Sequence, residues 1–382
     1  MVYTFFKRLS FLLCVLISAN QLFAQPKYNL KFKHSDVYAG IEVGSKGVKM
    51  SILEIGKNAQ KENIFNILKD TSSNTDFISF TDSTYSATLT SFYNLYNTAV
   101  TEYKIAPSKI YTVVSSGVKV QAEKSDKTAW ITKLTNDFKA KVKDSSREVA
   151  VIDVTDEARL SHLGIVPDER RYSTFLIDIG SGNTKGGFFP NGDTKTLRLF
   201  ELSWGTKSVA NATEKRSGDD KSLATFDKNL YRVLSGDAKN EIVYAVNVSN
   251  AYNMSDYIAF SGGIAWSAAT LMFPELIDNP VVPVTYDEMV KFNDRILNNY
   301  SSLSDLVIAS TLADKSADKA LISSEVKQVN KVFDQKSLLA GTGLLLNIMR
   351  QFEGVYEKKQ FYLVKNGQVG WISAYVNQHL SQ

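Results

Sequence analysis

Ile41-Glu42-Val43-Gly44-Ser45-Lys46-Gly47-Val48-Lys49 and Ile177-Asp178-Ile179-Gly180-Ser181-Gly182-Asn183-Thr184-Lys185 read alike. Both run apolar, acidic, apolar, Gly, Ser and then, four residues on, Lys, at a constant offset of 136 residues from Glu42 to Asp178. That offset is domain-sized and far beyond a solenoid period, so it indicates a duplicated domain. In each copy an apolar run enters (Val37–Val43, Phe175–Ile179), a glycine corner follows, and an alternating run leaves (Val48–Ile55, Lys185–Phe189). The pattern predicts a strand, a tight turn and an antiparallel return strand.

A corner of this kind brings backbone close to a ligand, and its successive N–H groups can form a concavity for phosphate oxygens. The carboxylate ending the incoming strand can hold Mg²⁺ or a metal-bound water. Two ordinary glycine hairpins are the plain alternative, and the matched copies at domain spacing argue against it. No G-x-x-x-x-G-K-[ST] loop occurs. The dinucleotide fingerprint does not apply either, because no helix follows the corner directly. A third element comes later. Tyr257–Phe260 reads as a strand, and Ser261-Gly262-Gly263 turns into a helix over Ile264–Phe273, whose free N–H groups favour an anion.

Two hairpin loops followed by strand-Gly-Gly-helix resemble the phosphate and adenosine motifs of the actin, heat-shock chaperone and sugar kinase superfamily. Within it, Asp156-Glu157-Ala158-Arg159-Leu160-Ser161-His162-Leu163-Gly164-Ile165 resembles the Glu-Glu-Ala-Arg-Leu…Gly-Val segment of the exopolyphosphatase / guanosine pentaphosphate phosphatase (Ppx/GppA) family. Ser115-Ser116-Gly117-Val118-Lys119 stands where that family has a Thr-Ser-Ala-x-Arg turn, and Leu338–Met349, Phe361–Val364 and Gly367–Ile372 resemble its closing segments. The likeness runs from about Val37 to about Val376. It implies an α/β protein in the short two-domain form: two duplicated ribonuclease H-like (actin-like ATPase) domains with an interdomain cleft.

The resemblance also implies roles. Glu157 would be the general base, on a helix capped by Thr155 or Asp156; a plain first-turn Glu stabilised by the helix dipole is the alternative. Glu42 and Asp178 would bind Mg²⁺. Gly44, Ser45, Lys46, Gly180, Ser181, Gly182, Asn183 and Thr184 would hold phosphates, with Ser116 and Lys119 near the entrance and Gly262 and Gly263 at the third turn. Arg159 would pair with a carboxylate or the substrate, or form a structural ion pair. The departures are local. Glu42 replaces the family's Asp, Lys46-Gly47 replaces Asn-Ser, Ser181 and Asn183 break a Gly-Gly-Gly-Ser-Thr pattern, and Lys185 replaces the Glu after it. The last swap moves local charge by about two units toward binding a polyanion with less metal.

The ends and the composition bound the rest. Lys7 and Arg8, the apolar run Leu9–Ser18 and the small Ala24 form the three-part layout of a secretory signal over residues 1–24. Its apolar core is short for a membrane span, so no stable span is expected after cleavage, and the location expected is periplasmic or extracellular. Removal takes Lys7, Arg8 and the only cysteine, Cys14, leaving 42 basic against 40 acidic residues. A near-neutral chain without basic runs excludes nucleic acid as a partner. Without cysteine there is no disulfide, thiolate metal site or cysteine nucleophile. His34, His162 and His379 follow no metal-ligand spacing. Export disfavours a kinase or an alarmone phosphatase and favours inorganic polyphosphate as the substrate. The alternative is a catalytically inactive phosphate-binding or sensing protein of the same fold; an actin-like ATPase or sugar kinase is the third reading, and a homodimer is allowed for.

Domain I is expected over residues 37–171 and domain II over 172–382. Helices are expected at Thr84–Tyr103, Thr128–Val142 and Asp287–Asn299, with a loop at Asn211–Asp227. A last helix near Phe333–Phe352 is expected to reach back across the cleft.

Overall fold

The computed structural model describes residues 28–56, 65–190, 192–250, 255–312, 318–353, 359–365, 367 and 370–380. The expected signal segment, residues 1–24, lies outside them. The strands are β1 (Ser35–Val43), β2 (Gly47–Gly56), β3 (Phe65–Asn74), β4 (Ile110–Val114), β5 (Ala150–Val151), β6 (Thr174–Ile179), β7 (Thr184–Phe188), β8 (Arg198–Leu202), β9 (Tyr257–Ser261), β10 (Val281–Val284) and β11 (Gln360–Val364). They form a five-stranded sheet, β3-β2-β1-β4-β5, and a six-stranded sheet, β10-β11-β9-β6-β7-β8. In each, an antiparallel three-strand meander leads into parallel neighbours: β1 beside β4 and β4 beside β5, then β6 beside β9 and β9 beside β11. The duplication read from the two glycine corners is therefore a duplication of topology. Its register carries over too, with Glu42 opposite Lys49 and Asp178 opposite Lys185.

The first half adds helices α1 (Asp82–Thr101), α2 (Ser116–Lys124), α3 (Thr128–Val142) and α4 (Val154–Ile165). Thr81 caps α1 in a reciprocal capping box with Thr84, and the helix buries Tyr85, Phe92, Leu95 and Tyr96 against the sheet. The second half adds α5 (Thr206–Ser217), α6 (Leu223–Val233), α7 (Lys239–Ser249), α8 (Gly263–Met272), α9 (Tyr286–Asn298), α10 (Asp305–Thr311), α11 (Lys319–Val332), α12 (Gln335–Phe352) and α13 (Gly370–Leu380). Two separate apolar cores underlie the two sheets.

Two expectations are corrected. The polar stretch Asn211–Asp227 is mostly helical, spanning the end of α5 and the start of α6. Ser222 caps α6, and Phe226 and Leu230 lock it into the second core, so an apolar stripe outweighs the polar composition. The helix that returns to the first domain is α13, not Phe333–Phe352. Leu338, Leu344, Ile348 and Phe352 of α12 sit in the second core, whereas Trp371, Ile372 and Tyr375 of α13 pack with Val113, Ile152 and Leu160 of the first half. Val376 joins Tyr38, Leu53 and Ile55 on the same sheet. Residues 370–380 thus belong with the first domain's packing, because the apolar face they need to bury lies there.

Candidate active site

Glu157 lies in the first turn of α4. The helix is capped by Asp153, whose carboxylate accepts from the Asp156 N–H at 2.8 Å, rather than by Thr155 or Asp156 as expected. Glu157 is only 1% exposed. One oxygen, Oε2, accepts from the Ser116 N–H at 2.6 Å, and Oε1 lies 2.9 Å from the Lys185 ammonium. Lys185 comes from β7 in the second domain and reaches back 2.6 Å to Asp178 Oδ2. Asp178 Oδ1 accepts from the Ser261 hydroxyl at 2.8 Å, tying in the end of β9. The turn behind Ser261 requires glycine: Gly262 has φ of 92°, and a Cβ there would lie 2.2 Å from the Ile179 carbonyl. Glu157, Lys185 and Asp178 thus form a buried ionic group across the two domains. Burial pulls the Lys185 ammonium toward neutrality, and the carboxylates of Asp178 and Glu157 outweigh it, so its pKa is raised.

Glu42 ends β1 beside this group, and the Trp371 indole N–H donates to its Oε2 at 3.2 Å. Burial raises its pKa from 4.5 to about 7, opposed by Lys49 and reinforced by Glu157. The folded state therefore holds this proton more tightly than the unfolded chain does, and stability falls as pH rises from about 4.5 to 7. Glu42→Gln is expected to match the wild type near the lower limit. It should exceed the wild type by on the order of 3 kcal/mol above the upper one. Chemical denaturation of both proteins across that range checks this, and parallel pH curves would refute the burial argument.

The two glycine corners face and touch each other. Gln121 of α2 donates to the Gly182 carbonyl at 2.5 Å, and the Asn183 amide donates to the Ser116 hydroxyl at 3.1 Å. A Cβ on Gly182 would lie 2.1 Å from Ser45 Oγ and 2.6 Å from the Gly117 carbonyl, so only glycine permits this approach. Gly182→Ala is expected to cost about 1–3 kcal/mol by overpacking. The Ser116 amide should then exchange faster with deuterium; unchanged exchange would mean that the loops are not held by this contact.

The expected phosphate-binding residues divide by placement. Ser45, Ser116, Gly182 and Asn183 meet at the interdomain contact. Gly44 N–H closes its own turn onto the Gly47 carbonyl, and Gly180 N–H does the same with Asn183, so these two amides serve the hairpins instead of a ligand. Ser181 accepts from the backbone of Lys207 and Ser208, and the Thr184 hydroxyl donates to the Trp204 carbonyl at 2.7 Å. Lys119 is half-buried on α2, and Gly263 opens α8. Lys46 reaches across to the second domain. Its ammonium donates to the Val332 carbonyl, lies over the Phe333 ring, and is lowered to about 8 by burial. Beside it opens a cleft of about 290 Å³ lined by Lys46, Asn74, Thr75, Asp76, Thr84 and Lys207, which none of the ionic group lines. Lys207 reaches Asp76 across the domains at 3.4 Å.

Arg159 bonds Gln378 of α13 at 2.7 Å and pairs with Asp156 at 3.8 Å. His162 is buried, bonded to the Thr174 carbonyl, and lowered to about 4 by desolvation.

Glu42 and Asp178 as placed do not fit Mg²⁺, which asks for near-octahedral oxygens at about 2.0–2.1 Å. Both Asp178 oxygens are engaged by Lys185 and Ser261, and Glu42 Oε2 accepts from the Trp371 indole. Among the described residues no group of three or more His, Cys, Asp or Glu side chains is arranged to hold a metal ion. Sequence reasoning marked Lys185 only as a substitution, and missed Ser261, Gln121 and Trp371 as partners. Ser261 was the first residue of a recognised turn; Gln121 and Trp371 carried no local signal.

Two repeated mixed sheets meeting at paired hairpins define a two-domain α/β fold of the actin-like ATPase type. The chain shares its fold with solved Ppx/GppA exopolyphosphatase structures, which belong to that superfamily. An exopolyphosphatase-like protein matches at 15% identity and a TM-score of 0.62, covering 91% of this chain and 98% of its own. A Ppx/GppA family member from Aquifex aeolicus matches at 16% identity and 0.56, with 91% and 98% covered. An exopolyphosphatase from Cytophaga hutchinsonii matches at 13% and 0.52, with 89% and 98% covered. No protein-family model and no curated protein sequence matches the chain. No helix among the described residues is long and apolar enough to cross a membrane.

Proposed function

We propose that the chain is a Ppx/GppA-like phosphatase that hydrolyses a terminal phosphoanhydride bond of inorganic polyphosphate, with Glu157 as general base. The observation supporting this is the position of Glu157: at a capped helix start, where both hairpins meet, within 2.9 Å of a cation from the opposite domain. Such hydrolysis needs an in-line water, a group to take its proton, and positive charge on the phosphoryl oxygens. As a chain end enters, the Lys185 ammonium transfers from Glu157 Oε1 to phosphate oxygens. The freed carboxylate oxygen then accepts a proton from water. The water oxygen bonds to the terminal phosphorus while the bridging P–O bond breaks, releasing phosphate and a chain one unit shorter. Lys46 and Lys207 at the cleft supply further charge along the chain. The export expected from residues 1–24 belongs to the same proposal, since polyphosphate suits a location with little nucleotide. Phosphate release from long-chain polyphosphate by the protein and by Glu157→Gln tests it; equal release by both would remove Glu157 from the reaction.

One observation favours a second reading, phosphate-chain binding or sensing without turnover: both Glu157 oxygens are already engaged, by Ser116 and Lys185. Polyphosphate binding with no release by the wild-type protein would select it.

A further inference from the structure

We infer that the Lys185 ammonium is the resident cation of this site, so that the Glu157–Asp178 centre binds phosphate without a divalent metal. For phosphate binding, the inference rests on the function proposed above; for the cation's place, it rests on geometry alone. The ammonium lies 2.9 Å from Glu157 Oε1 and 2.6 Å from Asp178 Oδ2, on a side chain only 5% exposed. It is covalently part of β7, whose register with β6 fixes Lys185 opposite Asp178. A divalent ion entering between the same oxygens would have to displace the ammonium or share the space with it. Two cations at that spacing in a low-dielectric site repel strongly. Three of the four remaining carboxylate oxygens are already engaged. Asp178 Oδ1 is held by Ser261, Glu157 Oε2 by the Ser116 N–H, and Glu42 Oε2 by the Trp371 indole. An ammonium offers three hydrogen-bond donors, so it can keep its contact with Asp178 while turning a donor from Glu157 to a phosphate oxygen.

The test is thermal unfolding of the full chain in EDTA and through a titration of Mg²⁺ or Mn²⁺, with polyphosphate binding measured in both conditions. The wild type is expected to show no saturable rise in melting temperature, and to bind polyphosphate no more weakly in EDTA than in Mg²⁺. Lys185→Gln, which removes the charge and leaves two carboxylates, is expected to gain a saturable metal-dependent rise of several degrees. A saturable rise in the wild type, or a tenfold loss of polyphosphate affinity in EDTA, overturns the inference. A folded Lys185→Gln protein with no metal response overturns it as well. Absence of polyphosphate binding under every condition counts against the proposed function instead, and the metal titration still decides the inference.

Discussion

Lys185→Met is expected to lower the melting temperature by roughly 6–20 °C. Removing one partner of a buried ion pair costs about 3–5 kcal/mol, because the surviving charge stays buried and uncompensated. In a domain of this size each kcal/mol corresponds to about 2–4 °C. Here two carboxylates lose the same cation, since Lys185 bridges Glu157 and Asp178 across the domains. The hairpin partner in the other domain provides the control. Lys49 stands opposite Glu42 as Lys185 stands opposite Asp178, but it is half-buried. Lys49→Met should therefore cost about 1 kcal/mol or less, as for a charge in contact with solvent. Calorimetry of the three proteins checks the contrast. A Lys185→Met protein as stable as the wild type would mean that the ammonium is not what holds the two carboxylates together.

Glu157→Gln carries the second large effect, a drop of about 10²–10⁴-fold in phosphate release, the usual contribution of a positioned general base. Glutamine keeps the length and one acceptor oxygen but cannot take a proton from water. Polyphosphate affinity should hold or rise, because one negative charge leaves the site proposed to receive a polyanion. The split between turnover and binding is the informative readout. A loss of binding in step with turnover would point to a collapsed interdomain contact, since Glu157 also receives the Ser116 N–H. Retained turnover would assign Glu157 to structure alone.

The physical reason that much of the fold was legible is that its signals are local. Apolar alternation into Gly44 and Gly180 marks each hairpin within about ten residues, and the common offset exposes the duplication. Helix α3 begins and ends where its periodicity does, over Thr128–Val142, and the α9 start is written in Thr285 and Glu288. The polar helices α5 and α6 were misread because composition hid Phe226 and Leu230, whose burial depends on a core built from distant strands. The destination of α13 was hidden for the same reason. Trp371 and Tyr375 would read as apolar in either domain, and the first sheet alone offers the surface they cover.

By itself, then, the sequence determined two matched hairpins, a glycine turn into a helix, and a glutamate at a helix start. These are properties of short stretches, where backbone geometry and periodicity act within a few residues. Only the tertiary structure decided what those pieces do together. It brought Lys185 between Glu157 and Asp178, put the Trp371 indole on Glu42 across 329 residues, and pressed Gly182 against Gly117 and Ser45. A side chain's charge partner, protonation and access to water are set by whatever surrounds it in three dimensions, and residues far apart in the chain supply those surroundings here.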